Sequence, residues 1–347
     1  MRVLMITPRV DMEHDIFGFI HSWVDELSRR VEHLDVITFR VGKTELGENV
    51  TLYSAYSKYQ PVKFFRLNRF LLTLTPKADV VFTHMYPWLP IVAAPYARAF
   101  GKPLVMFNAH GHVDFKKKLA AKLVDKVVTS SERGFNINTP KKVVIGQGID
   151  TKRFKPCNNV RNNVFRILNV GRVDRIKGYD ILIDAINQLV NVSGINKIHL
   201  TIIGPIYDRS YFYFLNDKIL KYSIENYVTF EGQIPYKRLH EYYQNCDLFV
   251  NPSYASSLEK TVLEAMACEK PVLTSNIAYY NDVFDDELRE KCFFAPGNKE
   301  ELVKKIEYFM ENDEKELRKK LRKIVVENHS IENFVKSLVL IFESVKR

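Results

Sequence analysis

Short apolar segments that recur about every 30 residues constrain the fold of this chain more than any other feature. The first, Val3–Ile6, is followed by a helix that begins at Gly18 with apolar residues at helical spacing, and then by a second segment, Leu34–Phe39. The same alternation of strand and helix starts again later in the chain. It consists of the apolar segment Phe165–Val170, a turn that contains glycine, and a helix over Ile181–Val190. Strands that alternate with helices in this way form doubly wound parallel sheets with helices on both faces. The sequence therefore predicts an α/β fold with two such units.

The remaining strands are predicted from short apolar runs. They are Val80–Thr83, Leu104–Asn108, Lys126–Thr129 and Val143–Ile145 in the first half, and His199–Ile203, Tyr227–Phe230, Leu248–Val250 and Val272–Thr274 in the second. A chain of 347 residues is long enough for two domains, each with its own core. The polar segment CNNVRNN, residues 157–163, is the best candidate for the linker. We therefore expect an N-terminal domain over residues 1–160 and a C-terminal domain over 161–329, with helical structure from Asp313 to Arg347.

Charge and cysteine content limit the class of protein. The net charge of +10 favours an anionic partner, which a nucleotide, a phospholipid surface or a nucleic acid could supply. The four cysteines show no metal-ligand spacing and are expected to be reduced thiols; they are Cys157, Cys246, Cys268 and Cys292. No apolar run approaches the length of about 18 residues typical of a membrane span, and the N-terminal segment lacks the pattern of a signal peptide. We therefore expect a cytoplasmic protein.

The segment Lys58–Lys77, KYQPVKFFRLNRFLLTLTPK, combines five basic residues with aromatic and aliphatic ones and contains no acidic residue. A basic amphipathic helix of this kind can lie on an anionic membrane surface. It can equally cover a sheet with its apolar face and leave its cations in solvent. The cluster Lys116–Lys118 adds basic charge downstream. Both interpretations stay open at this point.

Candidate ligand-binding residues follow predicted strands at their carboxyl ends, where doubly wound sheets bind ligands. His110 follows Leu104–Asn108 and is either functional or structural; with His112 alone it lacks the further ligands that a metal site needs. Arg172 and Lys177 follow Phe165–Val170 and could clamp a diphosphate, or they are solvated loop cations. The turn matches neither GxGxxG nor GxxxxGK[ST], which argues against a dinucleotide fingerprint and a P-loop.

The segment Asn251–Val272, NPSYASSLEKTVLEAMACEKPV, combines a strand end, a polar loop and a helix start. A helix N-terminus at the edge of a parallel sheet binds anions through its backbone N–H groups and its dipole. Glu264, in the first turn, would lie near such a ligand. The alternative is that this carboxylate only stabilises the helix dipole.

Six motifs occur in a fixed order along the chain: VVTSSERGF, VIGQGIDTKRFKP, VGRVDRIKGYDILIDAI, LTIIGP, FEGQIPYKRLHEYYQNCDLFVNPS and LEAMACEKPVLTSN. Together they resemble the family 4 retaining glycosyltransferases, over nearly the whole chain from Gly18 to Asn276. The resemblance implies the GT-B fold, in which two Rossmann-like domains face each other across a cleft. It also implies that a C-terminal helix, about residues 330–347, crosses back to the N-terminal domain. The expected partners are a UDP-, GDP- or ADP-sugar donor in the C-terminal domain and a glycan or lipid-linked acceptor in the N-terminal one, with no nucleic acid.

The resemblance also implies a role for each candidate residue. Arg172 and Lys177 would hold the donor diphosphate, and His110 would contact the donor sugar near the reacting carbon; these three are the expected catalytic residues. Glu264 would bind the ribose hydroxyls. The other expected donor-binding residues are Leu258, Glu259, Lys260 and Thr261 at the phosphates, Gln233 and Ile234 at the nucleobase, Ser256 at the sugar, and the glycines Gly18, Gly171 and Gly204.

Four positions depart from the family pattern. Ser256 stands where the first glutamate of the E-x7-E motif belongs, and Glu259 stands at a position that is usually glycine. Phe19 replaces the second glycine of an N-terminal pair, and we expect it to crowd the acceptor side of that loop. Glu269 replaces the glycine that normally ends the LEAMA helix, which implies a C-cap penalty.

The expected reaction retains the anomeric configuration and requires neither a metal nor another cofactor. Arg172, Lys177 and the helix dipole at Thr261 would stabilise the charge on the departing diphosphate. A nucleotide-sugar epimerase or a phosphorylase of the same fold is one alternative. Another is a weakly active or non-catalytic binding subunit, which Ser256 makes conceivable. The basic segment Lys58–Lys77 favours a lipid-linked or cell-surface glycan acceptor and a peripheral position at the inner face of the membrane.

Overall fold

A computed structural model describes residues 1–157 and 163–346 of the protein and contains two parallel sheets. The first has the spatial order β3-β2-β1-β4-β5-β6-β7. Its strands are β1 (Arg2–Thr7), β2 (His33–Thr38), β3 (Val50–Ser54), β4 (Val80–His84), β5 (Leu104–Phe107), β6 (Lys126–Thr129) and β7 (Lys142–Val144). The second has the order β10-β9-β8-β11-β12. Its strands are β8 (Phe165–Val170), β9 (Ile198–Ile203), β10 (Val228–Gly232), β11 (Leu248–Asn251) and β12 (Val272–Thr274).

Helices connect the strands and follow the second sheet. They are α1 (Gly18–Ser28), α2 (Gln60–Leu74), α3 (Trp88–Ala99), α4 (Phe115–Leu123), α5 (Tyr179–Asn187), α6 (Arg209–Tyr222), α7 (Leu239–Asn245), α8 (Lys260–Ala267), α9 (Ile277–Asp282), α10 (Asp286–Cys292), α11 (Lys299–Glu311), α12 (Lys315–Asn328) and α13 (Ile331–Val345). The strand order reverses beside β1 in one sheet and beside β8 in the other, as in doubly wound folds. The predicted α/β class is confirmed.

The described chain divides into two compact units, of which the first contains residues 1–150 and the chain from Asn328 onward. Its core includes an aromatic cluster around Trp23 of α1. The Trp23 ring lies 4.1 Å from the ring of Phe334 on α13 and 5.0 Å from that of Phe107 on β5, measured between centroids. The Trp23 indole also donates a 2.9 Å hydrogen bond to the carbonyl of Gly148, which has a φ of +64°. Helix α13 therefore supplies part of the core of this unit.

The second unit, Thr151–Glu327, buries the apolar faces of α5 and α8 on its own sheet. Strand β8 lies centrally between β9 and β11, so the turn after β8 and the loop after β11 leave the same edge of this sheet. The predicted linker 157–163 lies outside the described residues, apart from its two ends. Among the described residues, no helix has both the length and the hydropathy needed to cross a bilayer.

One element differs from the sequence-based expectations, and another remains open to two interpretations. Strand β3 was not predicted, because its residues are half-exposed at the edge of the sheet and do not form an apolar run. Helix α2 leaves both interpretations of the basic segment open. It buries Leu67, Leu71 and Leu74 against the first unit but leaves Phe64 and Phe65 58% and 69% exposed.

Candidate functional site

The turn after β8 places two cations at the carboxyl edge of the second sheet. Gly178 follows Lys177 and has a φ of +64°; an added Cβ would lie 2.2 Å from the carbonyl oxygen of Pro252. Only glycine therefore fits where this turn packs against the loop after β11. The Lys177 ammonium forms an ion pair with Glu259, and both side chains are largely buried. Sequence reasoning missed this pair because the two residues are far apart along the chain.

Arg172 lies in the same turn but is more accessible than Lys177. Its Nε atom lies 3.2 Å from Oδ2 of Asp174, and its guanidinium lies over the ring of Tyr207 at 5.3 Å. Asp174 also accepts a hydrogen bond from the backbone N–H of Ile176, which fixes the carboxylate. The Arg172 side chain is 44% exposed, and its guanidinium has further donors that can reach a ligand.

Gly171 and Gly204 shape the backbone at the ends of β8 and β9. Gly204 has a φ of +147°, and an added Cβ would lie 2.1 Å from the carbonyl oxygen of Gly171. The Tyr179 hydroxyl donates a 2.8 Å hydrogen bond to that same carbonyl. The two glycines thus allow adjacent turns to meet at the sheet edge, which is a structural reason for their presence.

Helix α8 begins at the same edge without a side-chain cap. Glu259 is the N-cap residue, but its carboxylate makes no hydrogen bond to the first turn. The Thr261 hydroxyl oxygen, in that turn, is buried and lacks a hydrogen-bond partner among the described residues. Leu258 is buried, whereas Ser256 is exposed in the preceding loop. The helix dipole and this hydroxyl are available to an anion.

Glu264 lies one turn further along α8 and is only 2% exposed. Its two carboxylate oxygens accept hydrogen bonds from the hydroxyls of Tyr236 and Tyr243, at 3.2 and 2.9 Å. Burial raises the pKa of Glu264 and lowers the pKa of its neighbour Lys260. Neither tyrosine was singled out from the sequence, although both lie in the motif that carries the resemblance. Gln233 and Ile234 lie in the loop between β10 and Tyr236.

The remaining candidates belong to the first unit. His110 is exposed in the loop between β5 and α4, and its Nδ1 atom accepts a hydrogen bond from the backbone N–H of His112. The buried Lys117 of α4 donates from Nζ to the carbonyl oxygens of His110 and His112. Lys117 therefore fixes the backbone of this loop through its two hydrogen bonds. Its position in a run of lysines did not indicate this role.

Gly18 begins α1 and donates its N–H to the carbonyl of His14 at 3.0 Å. Phe19 is 7% exposed and packs against Trp23 and His84 at centroid distances of 5.7 and 6.0 Å. The expected crowding of the loop by Phe19 is therefore wrong, because its ring belongs to the core. Among the described residues, no three His, Cys, Asp or Glu side chains cluster closely enough to hold a metal ion.

Comparison with known proteins assigns the chain to a family. The family model for glycosyl transferases group 1 matches residues 150–328, slightly more than half of the chain. The protein belongs to the glycosyl transferases of group 1. The match contains the β8 turn and all of α8, so the second unit carries the family signature.

Curated relatives resemble part of the chain. Mannosylfructose-phosphate synthase of Agrobacterium fabrum is 28% identical over 172 residues, covering 46% of this chain and 37% of the relative. D-inositol 3-phosphate glycosyltransferase of Paenarthrobacter aurescens is 27% identical over 150 residues, covering 40% of this chain and 36% of the relative. The chain thus spans less than half the length of these relatives.

Solved structures resemble the whole chain in fold. The structure of Anabaena HepE in complex with UDP and glucose has a TM-score of 0.81 and 17% identity, and covers 99% of this chain and 100% of that one. Sucrose-phosphate synthase from Thermosynechococcus elongatus has a TM-score of 0.80 and 19% identity, with coverage of 99% and 98%. These similarities show that the two Rossmann-like units have the architecture of the GT-B fold.

Proposed function

We propose that this protein is a retaining glycosyltransferase of family 4, of the hexosyltransferase type. It would move a sugar from a nucleoside-diphosphate sugar to a hydroxyl acceptor, in the synthesis of a lipid-linked or cell-surface glycan. The observation that carries the proposal is the edge of the second sheet, where Lys177 contacts Glu259 at the N-terminus of α8 and Arg172 lies in the same turn as Lys177. The buried carboxylate Glu264 follows one turn along α8. Membership of group 1 and a HepE neighbour solved with UDP-glucose support a nucleotide-sugar donor.

The residues of the second unit would act on the leaving diphosphate. Arg172 presents a planar fork of donors, Lys177 presents a compact positive charge, and the first turn of α8 adds its dipole and the Thr261 hydroxyl. Charge that develops on the departing diphosphate oxygen is stabilised by these groups once the donor is bound, which lowers the barrier. Glu264, fixed by two tyrosine hydroxyls, retains lone pairs that can accept from the ribose hydroxyls.

The chemical step proposed is a displacement on the same face of the sugar. The acceptor hydroxyl forms the new bond to the anomeric carbon as the bond to the diphosphate oxygen breaks, and that oxygen takes the acceptor proton. His110 would contact the donor sugar near this carbon. This route needs no metal and no covalent intermediate on the protein.

Titration with UDP, GDP and ADP, followed by transfer and hydrolysis assays with the matching sugar nucleotides, tests the proposal. Binding of one nucleoside diphosphate and transfer with retention of configuration are expected. A protein that binds none of the three is not a glycosyltransferase of this type. Binding without transfer would favour the non-catalytic subunit, and interconversion of sugar nucleotides would favour the epimerase.

Ser256 is the position where the donor sugar specificity of this protein would differ from the family pattern. It is exposed in the loop before α8, and a serine hydroxyl cannot replace the charge of a glutamate. We expect Ser256→Glu to change the preferred sugar in a donor panel while the nucleoside diphosphate affinity stays constant. A large rise in turnover with every donor would instead mean that the native chain is a weakly active paralogue.

The exposed face of α2 supports a peripheral membrane position and hence a lipid-linked acceptor. Phe64 and Phe65 are more than half exposed and lie among Lys63, Arg66 and Arg69 on the same helix. Such a face inserts its aromatic rings into the headgroup region while its cations meet anionic lipids.

The protein should therefore sediment more with phosphatidylglycerol vesicles than with phosphatidylcholine vesicles. Phe65→Ser should reduce sedimentation with the phosphatidylglycerol vesicles. Leu220→Ser, at a leucine of α6 that is also more than half exposed, is the matched control. Binding that ignores lipid charge and salt would contradict the proposal.

A further inference from the structure

The cation best placed to meet a donor diphosphate is already paired with an anion of the protein itself. The Nζ atom of Lys177 contacts Oε1 of Glu259, and the two side chains are only 15% and 11% exposed. Since glycine is the usual residue at position 259 in the family that the sequence resembles, this carboxylate is an addition to the site. The ion pair means that a phosphate cannot approach Lys177 as it would approach an unpaired ammonium.

Glu259 is held in place by more than Lys177. Asn276 donates from Nδ2 to its second carboxylate oxygen at 3.3 Å, and Tyr279 donates from its hydroxyl to its backbone carbonyl at 2.5 Å. Burial opposes the ionisation of Glu259, but Lys177 and hydrogen bonds from Asn251 and Ser253 outweigh it and keep its pKa below the usual value. The carboxylate is therefore charged and anchored, whereas the Lys177 ammonium sits on a flexible four-carbon stem.

The nearby cations of the second unit also have carboxylates as partners. Arg172 pairs with Asp174, and Lys260 has Glu264 as its electrostatic partner. These three pairs add no net charge of their own, although the whole chain carries a net charge of +10. Incoming phosphate charge must therefore compete with carboxylates already present, and Glu259 is the one in direct contact with Lys177.

We propose that Glu259 is an internal anion that occupies Lys177 in the unliganded protein and exchanges with a phosphate of the bound nucleoside diphosphate. When Lys177 turns to the phosphate, Asn276 keeps the Glu259 carboxylate beside the site. The remaining negative charge weakens the hold on the diphosphate and speeds release of the nucleotide product. This inference rests on the proposed function, which it deepens by assigning a residue that sets diphosphate affinity and release.

The test compares wild-type protein with Glu259→Gln, which keeps the size and an amide acceptor for Lys177 but removes the charge. Glu259→Gly is a second variant that removes the side chain, and glycine is a favourable N-cap residue. Glu311→Gln, at an exposed glutamate of α11, is the matched control. Circular dichroism verifies that each variant is folded. The probes are inorganic pyrophosphate, UDP, GDP and ADP, measured by isothermal titration and by stopped-flow dissociation.

Both Glu259 variants should bind pyrophosphate and the preferred nucleoside diphosphate about tenfold more tightly, mainly through slower dissociation, while Glu311→Gln stays at the wild-type value. Lys177→Ala in the Glu259→Gln background should remove this gain. Nucleotide binding by the wild type without a gain in either variant overturns the inference and leaves the proposed function intact. A gain for pyrophosphate with no nucleotide bound supports the anion exchange and overturns the proposed function. Absence of binding by every probe overturns both.

Discussion

The hydroxyl of Tyr243 on α7 donates a 2.9 Å hydrogen bond to Oε2 of Glu264 on α8, and both side chains are buried. A second tyrosine, Tyr236, donates to the other carboxylate oxygen. A carboxylate that is hydrogen-bonded at both oxygens has a fixed orientation, and each oxygen keeps one lone pair for a ligand. The two hydrogen bonds explain how a buried glutamate is tolerated at this position.

Tyr243→Phe should destabilise the protein by about 1–3 kcal/mol, because it leaves one oxygen of a buried carboxylate without its partner. Urea unfolding followed by circular dichroism measures this change. Tyr242→Phe is the matched control at the neighbouring, more exposed tyrosine, and it should change stability by no more than about 0.5 kcal/mol. Equal stabilities of the two variants would contradict the role assigned to Tyr243.

Arg172→Ala and Lys177→Ala should each lower turnover by roughly 10²–10³-fold, because each removes a group that stabilises charge on the leaving diphosphate. Arg175→Ala is the control within the same turn, since its guanidinium faces Asp208 and the ring of Tyr211. Steady-state kinetics with the preferred donor gives the ratio of each variant's turnover to that of the wild type. Wild-type turnover in either of the first two variants would rule out the diphosphate assignment.

His110→Ala should lower turnover by about 10²-fold or more while leaving nucleoside diphosphate affinity within a factor of two or so, because the expected contact is with the sugar. His112→Ala serves as the control two residues away in the same exposed loop. Kinetics and calorimetry on the same protein samples separate the two effects. A parallel loss of nucleotide affinity would mean that His110 acts on the nucleotide instead.

The buried Lys117 should give the protein a pH-dependent stability. Burial lowers the pKa of Lys117 to about 8 from the model-peptide value of 10.5, although Asp114 acts in the opposite direction. Between those two values the unfolded chain binds more protons than the folded one, so the free energy of unfolding rises with pH in that window. Lys117→Met should lack this rise when unfolding is measured from pH 7 to about 9.5. Lys118→Met, at the exposed neighbour, should retain it.

Glu269→Gly should stabilise the protein by about 1 kcal/mol. Glu269 has a φ of 55° at the end of α8, a left-handed conformation that costs a non-glycine residue about 1–2 kcal/mol. Its side chain contributes little compensating stabilisation, since its ion-pair distance to Arg322 is 3.9 Å. Thermal unfolding measures the change. Ser223→Gly, at the left-handed residue after α6, should show a similar gain. A loss of stability in both variants would contradict the strain argument.

The sequence predicted the parallel strands well because most of them are continuous apolar runs. Buried parallel strands such as β4 and β11 have apolar residues on both faces, so the signal is strong and local. Strand β3 lies at an edge with half-exposed side chains, and its signal is correspondingly weak. The exposed aromatic residues of α2 could not be distinguished from core residues. A periodicity of 3.6 residues shows which residues share a helix face, but it does not show whether that face is covered by the rest of the protein.

The candidate site was predictable as a set of positions but not as a network of contacts. The predicted strand Phe165–Val170 placed Arg172 and Lys177 at a strand end, and the predicted helix after Asn251 placed Glu264 near a helix start. Their partners, among them Glu259, Tyr236 and Tyr243, depend on how loops from separate βα units meet at one edge. Such pairings are set by tertiary packing and leave no local pattern. Phe19 illustrates the same limit, since its substitution for glycine suggested crowding whereas the ring is part of the core.

The contribution of α13 to the first unit affects the order in which the chain can fold during its synthesis. Trp23 and Phe107 are synthesised early, whereas their aromatic partner Phe334 follows roughly 190 residues after the last strand of that unit's sheet. At about 5–20 residues per second, the ribosome leaves this apolar surface uncovered for roughly 10–40 s. The second unit, encoded between the two parts of the first, is therefore the earlier of the two to become complete. The first unit is the one whose nascent form needs protection from aggregation.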